Sequence, residues 1–325
     1  MNYKKIKLLS KREIEQLVSL KEAIVDVKDA FLKFRSKEDS CFTRSVIDVS
    51  PKKGHLLSMP FYLNREDTLG AKIITVFPNC LFKGLPTISG MLVLCDSDTG
   101  GIISIMDAES ITSLRTGAVS AIAHDILSRK DSKTMALFGA GVQGKVQIKA
   151  TLEVRRIERI KIYDIDSQKS KKLAKELKKE YKGRADFCSV SSPWEALLET
   201  DIIVTATTSS VPVFDGNLVQ EGTHVTAIGS FKPHSRELDE VLLCRAKIFV
   251  DSYSQCLKEA GDIIIALKNN SIKKSNIQGE LRELITGEKK GRKNKEDITV
   301  FKSVGLAIQD AALARRIYER AEKRG

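Results

Sequence analysis

The run Thr134-Met-Ala-Leu-Phe-Gly139-Ala-Gly141-Val142-Gln143-Gly144 constrains the fold of this chain more than any other stretch. Met135 to Phe138 is a short apolar run of the kind that forms a buried parallel strand, and Val142 to Leu152 carries the apolar spacing of a helix packed onto it. The glycines mark the turn between them. Gly139 allows a sharp bend, Gly141 lacks the Cβ that would block a pyrophosphate, and Gly144 permits close packing of helix on strand. A pyrophosphate at such a turn meets the positive end of a helix. A second apolar stretch, Ile160 to Tyr163, ends at Asp164, about 20 residues beyond the glycines, where a dinucleotide fold places the carboxylate that binds ribose hydroxyls. Glycine-rich turns also occur in folds that bind mononucleotides or nothing. Here strand, turn, helix, second strand and acidic terminus arrive in order, and together they predict dinucleotide binding. Asp164 repels a 2'-phosphate and so favours NAD(H), while Lys169 and Lys171 lie near enough to leave NADP(H) open.

A chain of 325 residues is long enough for two domains, each with its own core. No apolar stretch approaches the ~20 residues needed to span a membrane, and Met1-Asn-Tyr-Lys-Lys lacks the apolar run of a signal peptide, so a cytoplasmic protein with no membrane partner is expected. The six cysteines (Cys41, Cys80, Cys95, Cys188, Cys244, Cys256) include no CxxC pair and have no histidine at ligand spacing. They read as buried free thiols in a reducing cytosol, with no metal. The net charge of +12 suggests an anionic partner, but much of the excess falls in the helix Lys169 to Lys182 and in the run Lys289 to Lys295, which read as a solvated face and an exposed loop. Without interleaved aromatics, no nucleic-acid partner is expected.

Along the chain, the part before Thr116 mixes a helix from Arg12 to Lys37 with strands at Arg44 to Asp48, Leu56 to Leu63, Leu69 to Thr75 and Thr87 to Cys95. This predicts an α+β domain. From Thr116 helices and strands alternate, with later strands at Ile202 to Thr205, His224 to Ile228 and Lys247 to Val250, which predicts an α/β domain built on a doubly wound parallel sheet. Val304 to Lys323 has helical spacing and is expected to return to the first domain, giving residues 1–115 with 304–325 and residues 116–303. The stretch 268–297 is expected to be the most mobile loop.

Over nearly its whole length the chain resembles the ornithine cyclodeaminase and mu-crystallin family. The residues that carry the resemblance are Ser113-Leu-Arg115-Thr116, the glycine loop with Gln143, Ile228-Gly-Ser-Phe-Lys-Pro233, Glu237-Leu-Asp239, and Phe301-Lys-Ser303-Val304-Gly305 with Asp310. The resemblance implies a homodimer in which an α+β substrate-binding and dimerisation domain meets a Rossmann-type domain holding the nicotinamide. It implies that Arg44, Lys72 and Arg115 surround a substrate carboxylate, with Met59 and Val304 on the substrate side. By the same matching Thr87, Arg115, Gly139, Gly141, Val142, Gln143, Asp164, Thr205, Ser230, Ser235 and Ser303 would touch the dinucleotide. The chemistry suits the cations, because an arginine fork grips a carboxylate with two charge-assisted hydrogen bonds and a lysine adds a compact charge. Each alone would be an ordinary surface cation, but their positions inside apolar segments such as Leu69-Gly-Ala-Lys72-Ile-Ile point to function.

Two positions depart from the cyclodeaminase pattern. Its catalytic aspartate is replaced by Phe231, and the carboxylate that binds the ornithine amine is replaced by Leu57. Releasing ammonia from ornithine requires a base to take and return protons, and these replacements remove it. They suit a less polar substrate, so the expected activity is NAD(P)H-dependent reduction of a cyclic imine acid, 1-pyrroline-2-carboxylate to L-proline or a related ketimine. Lys72 would be the catalytic residue, either as proton donor or as carboxylate ligand only. Ornithine cyclodeamination remains an alternative, with His234 as the nearest substitute base, although an exposed loop histidine is the plainer reading. An alanine dehydrogenase-like enzyme is another, and Phe231 counts against it too. A non-catalytic role, as in hormone-binding or structural members, is disfavoured by the retained cations.

Overall fold

In the computed structural model, which describes residues 5–35, 38–41 and 43–324, the chain forms two compact units, Met1–Ala118 with Leu306–Gly325 and Val119–Gly305. In the first unit, two capping boxes split the expected N-terminal helix. Ser10 with Glu13 starts α1 (Lys11–Leu17), and Ser19 with Glu22 starts α2 (Leu20–Lys33). Each glutamate reaches back to the capping serine, which gives the chain two separate helix starts where apolar spacing alone suggests continuity. The expected end at Lys37 lies outside the described residues.

The described residues of this unit also form seven strands: β1 (Lys7–Leu9), β2 (Ser40–Cys41), β3 (Ser45–Val49), β4 (Gly54–Leu63), β5 (Thr68–Val76), β6 (Ile88–Cys95) and β7 (Ile102–Asp107). They order as β1-β7-β6-β5-β4-β2, with β3 also pairing β4. Among the described residues, β1 and β7 pair in parallel, and the other pairs of this sheet are antiparallel. Strict alternation along β4 buries Leu57, Met59, Phe61 and Leu63 on one face. Helix α3 (Ala108–Leu127) follows β7, and the division between the units falls inside it.

The second unit alternates β8 (Thr134–Phe138), α4 (Val142–Val154), β9 (Arg159–Tyr163), α5 (Ser167–Glu180), β10 (Asp186–Ser189), α6 (Pro193–Leu197), β11 (Ile202–Thr205) and β12 (His224–Ala227). It continues with α7 (Glu240–Arg245), β13 (Lys247–Val250), α8 (Tyr253–Glu259), α9 (Gly261–Lys268), β14 (Ile277–Glu280), α10 (Leu281–Thr286) and β15 (Thr299–Lys302). The strand order is β10-β9-β8-β11-β12-β15-β13-β14, all parallel. The chain leaves β8 in one direction to β9 and β10, then returns to its other side with β11. This reversal is the topological switch point at which open α/β sheets bind ligands, at the carboxyl ends of the strands. The central strands β11, β12 and β15 are fully buried because helices cover both faces.

The last helix, α11 (Ala307–Lys323), packs on α2 and on β4 and β5 of the first unit, burying Ala307, Ile308, Ala311, Leu313, Ala314 and Ile317. Two expectations are corrected. The stretch 268–297 is not an open loop: it contains β14 and α10, and Arg292 donates to the carbonyls of Leu127, Thr223, Lys295 and Asp297. The cysteines are free thiols, but only Cys256 is buried; Cys244 is exposed and the others are half-buried. Among the described residues no helix is long and apolar enough to cross a membrane.

Candidate active site

The first unit gathers charge on the buried face of its sheet. Lys72 sits at the middle of β5, directly opposite Met59 of β4 and Leu92 of β6, and no part of its side chain is exposed. A lysine in such a row requires a counter-charge. Asp310, in the first turn of α11, provides it: both carboxylate oxygens accept from Lys72 Nζ at 2.7 Å. Thr112 Oγ1 lies 3.4 Å from the same nitrogen. From α3, Arg115 brings Nε to 3.4 Å from Asp310 Oδ1 and donates from Nη1 to Gln309 Oε1 at 2.9 Å. Arg44, half-buried just before β3, adds a third positive charge. Burial pulls Lys72 down to about 7, against the opposing pull of Asp310 and with the help of Arg115 and Arg44. The ammonium therefore sits near its titration point at neutral pH.

Leu57 lies two residues from Met59 on the same face of β4, and both are 1% exposed. The surroundings of Lys72 on this strand are thus apolar. Thr87 belongs to the same unit, half-buried just before β6. Asp310 is the residue that reading the sequence missed. It stood in a motif without a role, and the only signal for it was a lysine inside an apolar strand that needed a partner.

In the second unit the residues expected around a dinucleotide gather at the carboxyl ends of the parallel strands. Gly139 closes β8 with φ +101°, and a Cβ there would lie 2.5 Å from the Ala206 carbonyl oxygen. At Gly144 a Cβ would lie 2.0 Å from the Gly139 oxygen, so helix and strand approach as closely as the motif implies. Gly141 differs, because a Cβ there would meet nothing within 4 Å. It is the uncapped N-cap of α4, open where a pyrophosphate would meet the helix N–H groups. Asp164, at the end of β9, accepts from Ala140 N at 2.8 Å and from Asp166 N at 2.9 Å. That carboxylate ties the glycine loop to the end of β9. Beside it Ile165 is 95% exposed. Thr205 Oγ1, at the end of β11, and Gln143 Oε1 are buried without hydrogen-bond partners, as groups awaiting a polar ligand would be. The cradle and these two atoms fit a dinucleotide.

The remaining loops are held by buried carboxylates. Glu237 accepts from the backbone N–H groups of Thr207, Gly229 and Ser230, joining the ends of β11 and β12. Burial raises its pKa, opposed by Lys302. Lys302 itself pairs with Asp262 at 2.7 Å. Asp251 accepts from Ser303 Oγ and from the backbone of Val304 and Gly305. Ser303 therefore spends its hydroxyl on Asp251, and Ser230 spends its own on the Ser235 carbonyl. Val304 is 6% exposed and packs in the hydrophobic core of this unit. Phe231 is half-buried against the same core, Ser235 is half-buried, and His234 is exposed, the plainer of the two readings of that histidine. Among the described residues no cluster of three or more His, Cys, Asp or Glu could hold a metal ion.

Comparison with known proteins identifies relatives along the whole chain. Residues 4–325 match the family model described as ornithine cyclodeaminase/mu-crystallin family. A Delta(1)-pyrroline-2-carboxylate reductase of Bacillus cereus is 34% identical over 319 residues, 98% of this chain and 97% of the relative. Among solved structures, that of Thermococcus litoralis Delta(1)-pyrroline-2-carboxylate reductase in complex with NADH and L-proline matches with a TM-score of 0.95 at 40% identity, over 98% of each chain. An archaeal alanine dehydrogenase dimer with bound NAD matches with a TM-score of 0.91 at 35% identity, over 98% of this chain and 97% of that one.

Proposed function

The chain belongs to the ornithine cyclodeaminase/mu-crystallin family, and from this premise we propose that it is an NAD(H)-dependent reductase of a cyclic imine acid, converting 1-pyrroline-2-carboxylate or a related ketimine to the cyclic amino acid. The observation that carries the reading is the cationic group Arg44, Lys72 and Arg115 beside apolar Leu57 and Met59, with Phe231 in place of a catalytic aspartate. The one carboxylate in this group, Asp310, is engaged by Lys72 and lies against Arg115, so it is not free to receive a substrate amine or act as the base of a cyclodeaminase. The similarity to reductases of Bacillus cereus and Thermococcus litoralis supports the same substrate class.

In this reading Arg115 and Arg44 bind the substrate carboxylate, and the protonated Lys72 keeps the imine nitrogen in its electrophilic, charged form. Fixing the acid at one end leaves the ring little freedom to turn, and orientation carries much of the rate. NADH, when bound, supplies the hydride that the imine carbon accepts. Gly141 and the first turn of α4 would hold the pyrophosphate, Asp164 the ribose hydroxyls, and Thr205 and Gln143 further polar groups of the dinucleotide. Because a carboxylate at position 164 repels a 2'-phosphate, NAD(H) is favoured over NADP(H).

A homodimer belongs to this proposal. The outer face of the seven-stranded sheet exposes Leu8, Ile47, Ile73 and Met91 on four different strands, an apolar surface of the kind that a second copy covers. The similar alanine dehydrogenase is a dimer. The experiment that tests the function follows loss of NADH and NADPH absorbance with 1-pyrroline-2-carboxylate, alongside ammonia release from ornithine with catalytic NAD. Cofactor oxidation by the imine acid without ammonia from ornithine is the expected result. Ammonia release would restore the cyclodeaminase.

A further inference from the structure

Asp310 is a fully buried charge to which the proposed chemistry gives no task. A buried ion pair adds little stability over well-packed apolar residues of the same volume, since desolvation offsets the attraction. A core that keeps Lys72 and Asp310 together therefore keeps them for something other than stability. The geometry says what. Lys72 Nζ donates to both Asp310 oxygens at 2.7 Å, and Arg115 is approached from one side of α11 by Asp310 at its Nε and by Gln309 at its Nη1. Gln309 takes one Nη1 hydrogen and Asp310 lies beside Nε without a hydrogen bond between them, so Nη2 and the second Nη1 hydrogen are left to turn toward a ligand.

We infer that Asp310 is a positioning residue, which holds Lys72 as an ammonium and, with Gln309, orients the Arg115 fork for the substrate carboxylate. The inference rests on the proposed imine reduction. In that reaction the imine carbon gains the hydride of NADH, the nitrogen carries one proton from the ammonium or from solvent, and NAD+ leaves; Asp310 exchanges nothing. Among the described residues, the charged groups that act on Lys72 are Asp310 from α11, Arg115 from α3 and Arg44 before β3, and Cys41 of β2 lies near Asp310. The Cys41 thiol is pushed up to about 12 by burial and by Asp39 and Asp310, so it stays neutral. Two of the remaining three are cations that drive the proton off Lys72, and Asp310 alone retains it.

The test is the pH profile of Asp310→Asn in the full chain with NADH and 1-pyrroline-2-carboxylate. The alkaline limb of kcat/KM is expected to move down by about one pH unit or more, so that activity above the limb falls about tenfold or more and recovers below it. Gln309→Ala is expected to raise KM without moving the limb. A uniform loss in Asp310→Asn, with the limb in its original place, overturns the inference. Should the wild-type chain reduce no imine acid, the functional reading fails, and the Lys72 titration followed by NMR in lysine-labelled protein still decides. Asp310→Asn must lower that titration, with Lys72→Met assigning the signal, and an unchanged titration refutes the role. If Asp310→Asn does not fold, the double variant Lys72→Met with Asp310→Asn is expected to fold and to lack the activity; a fully active double variant overturns the proposal.

Discussion

The glycine-loop end of the second unit and the cationic group of the first are built from different materials. Around β8, β9 and β11 the groups proposed to hold the dinucleotide are largely backbone: the N–H groups of α4, the open face at Gly141, and loops tied down by Glu237 and Asp251. In the first unit they are charged side chains on β5, α3 and α11, and Lys72 and Asp310 stand 238 residues apart. A site made of backbone is broken by adding atoms, because every residue supplies the same N–H and only the missing Cβ matters. A site made of side chains is broken by taking atoms away. Each kind should therefore fail under substitutions that the other tolerates.

The largest effect is expected in the side-chain site. Replacing Arg115 with Ala removes two charge-assisted hydrogen bonds of about 2 kcal/mol each to the substrate carboxylate, so kcat/KM for the imine acid should fall on the order of 10^3-fold. Arg44→Ala should cost less and leave NADH affinity unchanged in a fluorescence titration. If NADH affinity fell with it, the contrast between the two sites would collapse. The backbone site is probed by the opposite operation. Gly141→Ala meets no protein atom, so its thermal midpoint should match wild type while NADH affinity falls by about tenfold or more, the cost of about 1.4 kcal/mol or more at the pyrophosphate. Unchanged NADH binding would remove the pyrophosphate from this turn.

Buried histidines sharpen the comparison from the side of stability. His124 and His224 in the second unit share Thr226 Oγ1 as a hydrogen-bond partner, and burial pulls His124 down to about 3 and His224 well below its ordinary value. Both pKa values are depressed on folding, so the unfolded chain binds more protons below about 6.5. Stability is then full above that pH and lost as pH falls toward 3, by about 1.4 kcal/mol per pH unit for each histidine. Denaturant titrations at several pH values check this, with Thr226 left intact. The smallest expected change is at Asp164: Asp164→Ser should narrow the preference for NADH over NADPH by about tenfold, equivalent to about 1.4 kcal/mol, with little effect on imine KM. If that preference stayed the same, cofactor choice would lie elsewhere.

The same difference in materials explains what reading the sequence could reach. Glycines 139, 141 and 144 and the strand ending at Asp164 were legible because the motif is local and each residue's reason is steric. The strands β9, β11 and β13 were legible from apolar runs alone. The break between α1 and α2 was missed, because the apolar spacing runs through Val18 while the capping boxes that interrupt it are polar and local. The pinned segment around Arg292 read as a charged loop, since its carbonyl partners lie on distant elements. The arginines and Lys72 were found through resemblance, and Asp310 escaped as a partner because no spacing in the chain announces a contact across 238 residues.

Helix α11 belongs to the first unit, although its residues follow those of the second unit in the sequence. During synthesis the strands that hold Lys72 leave the ribosome early, and the whole parallel sheet is completed before α11 appears. Domains generally fold as units in the order they emerge. Here the first unit to be started is the last to finish. Until Asp310 arrives, β5 carries a lysine with no counter-charge on the face it is meant to bury. A ribosome stalled before residue 306, or a nonsense codon there, would therefore release a chain with a finished nucleotide fold and an open, charged sheet, and the damage would fall on the half of the molecule that was translated first.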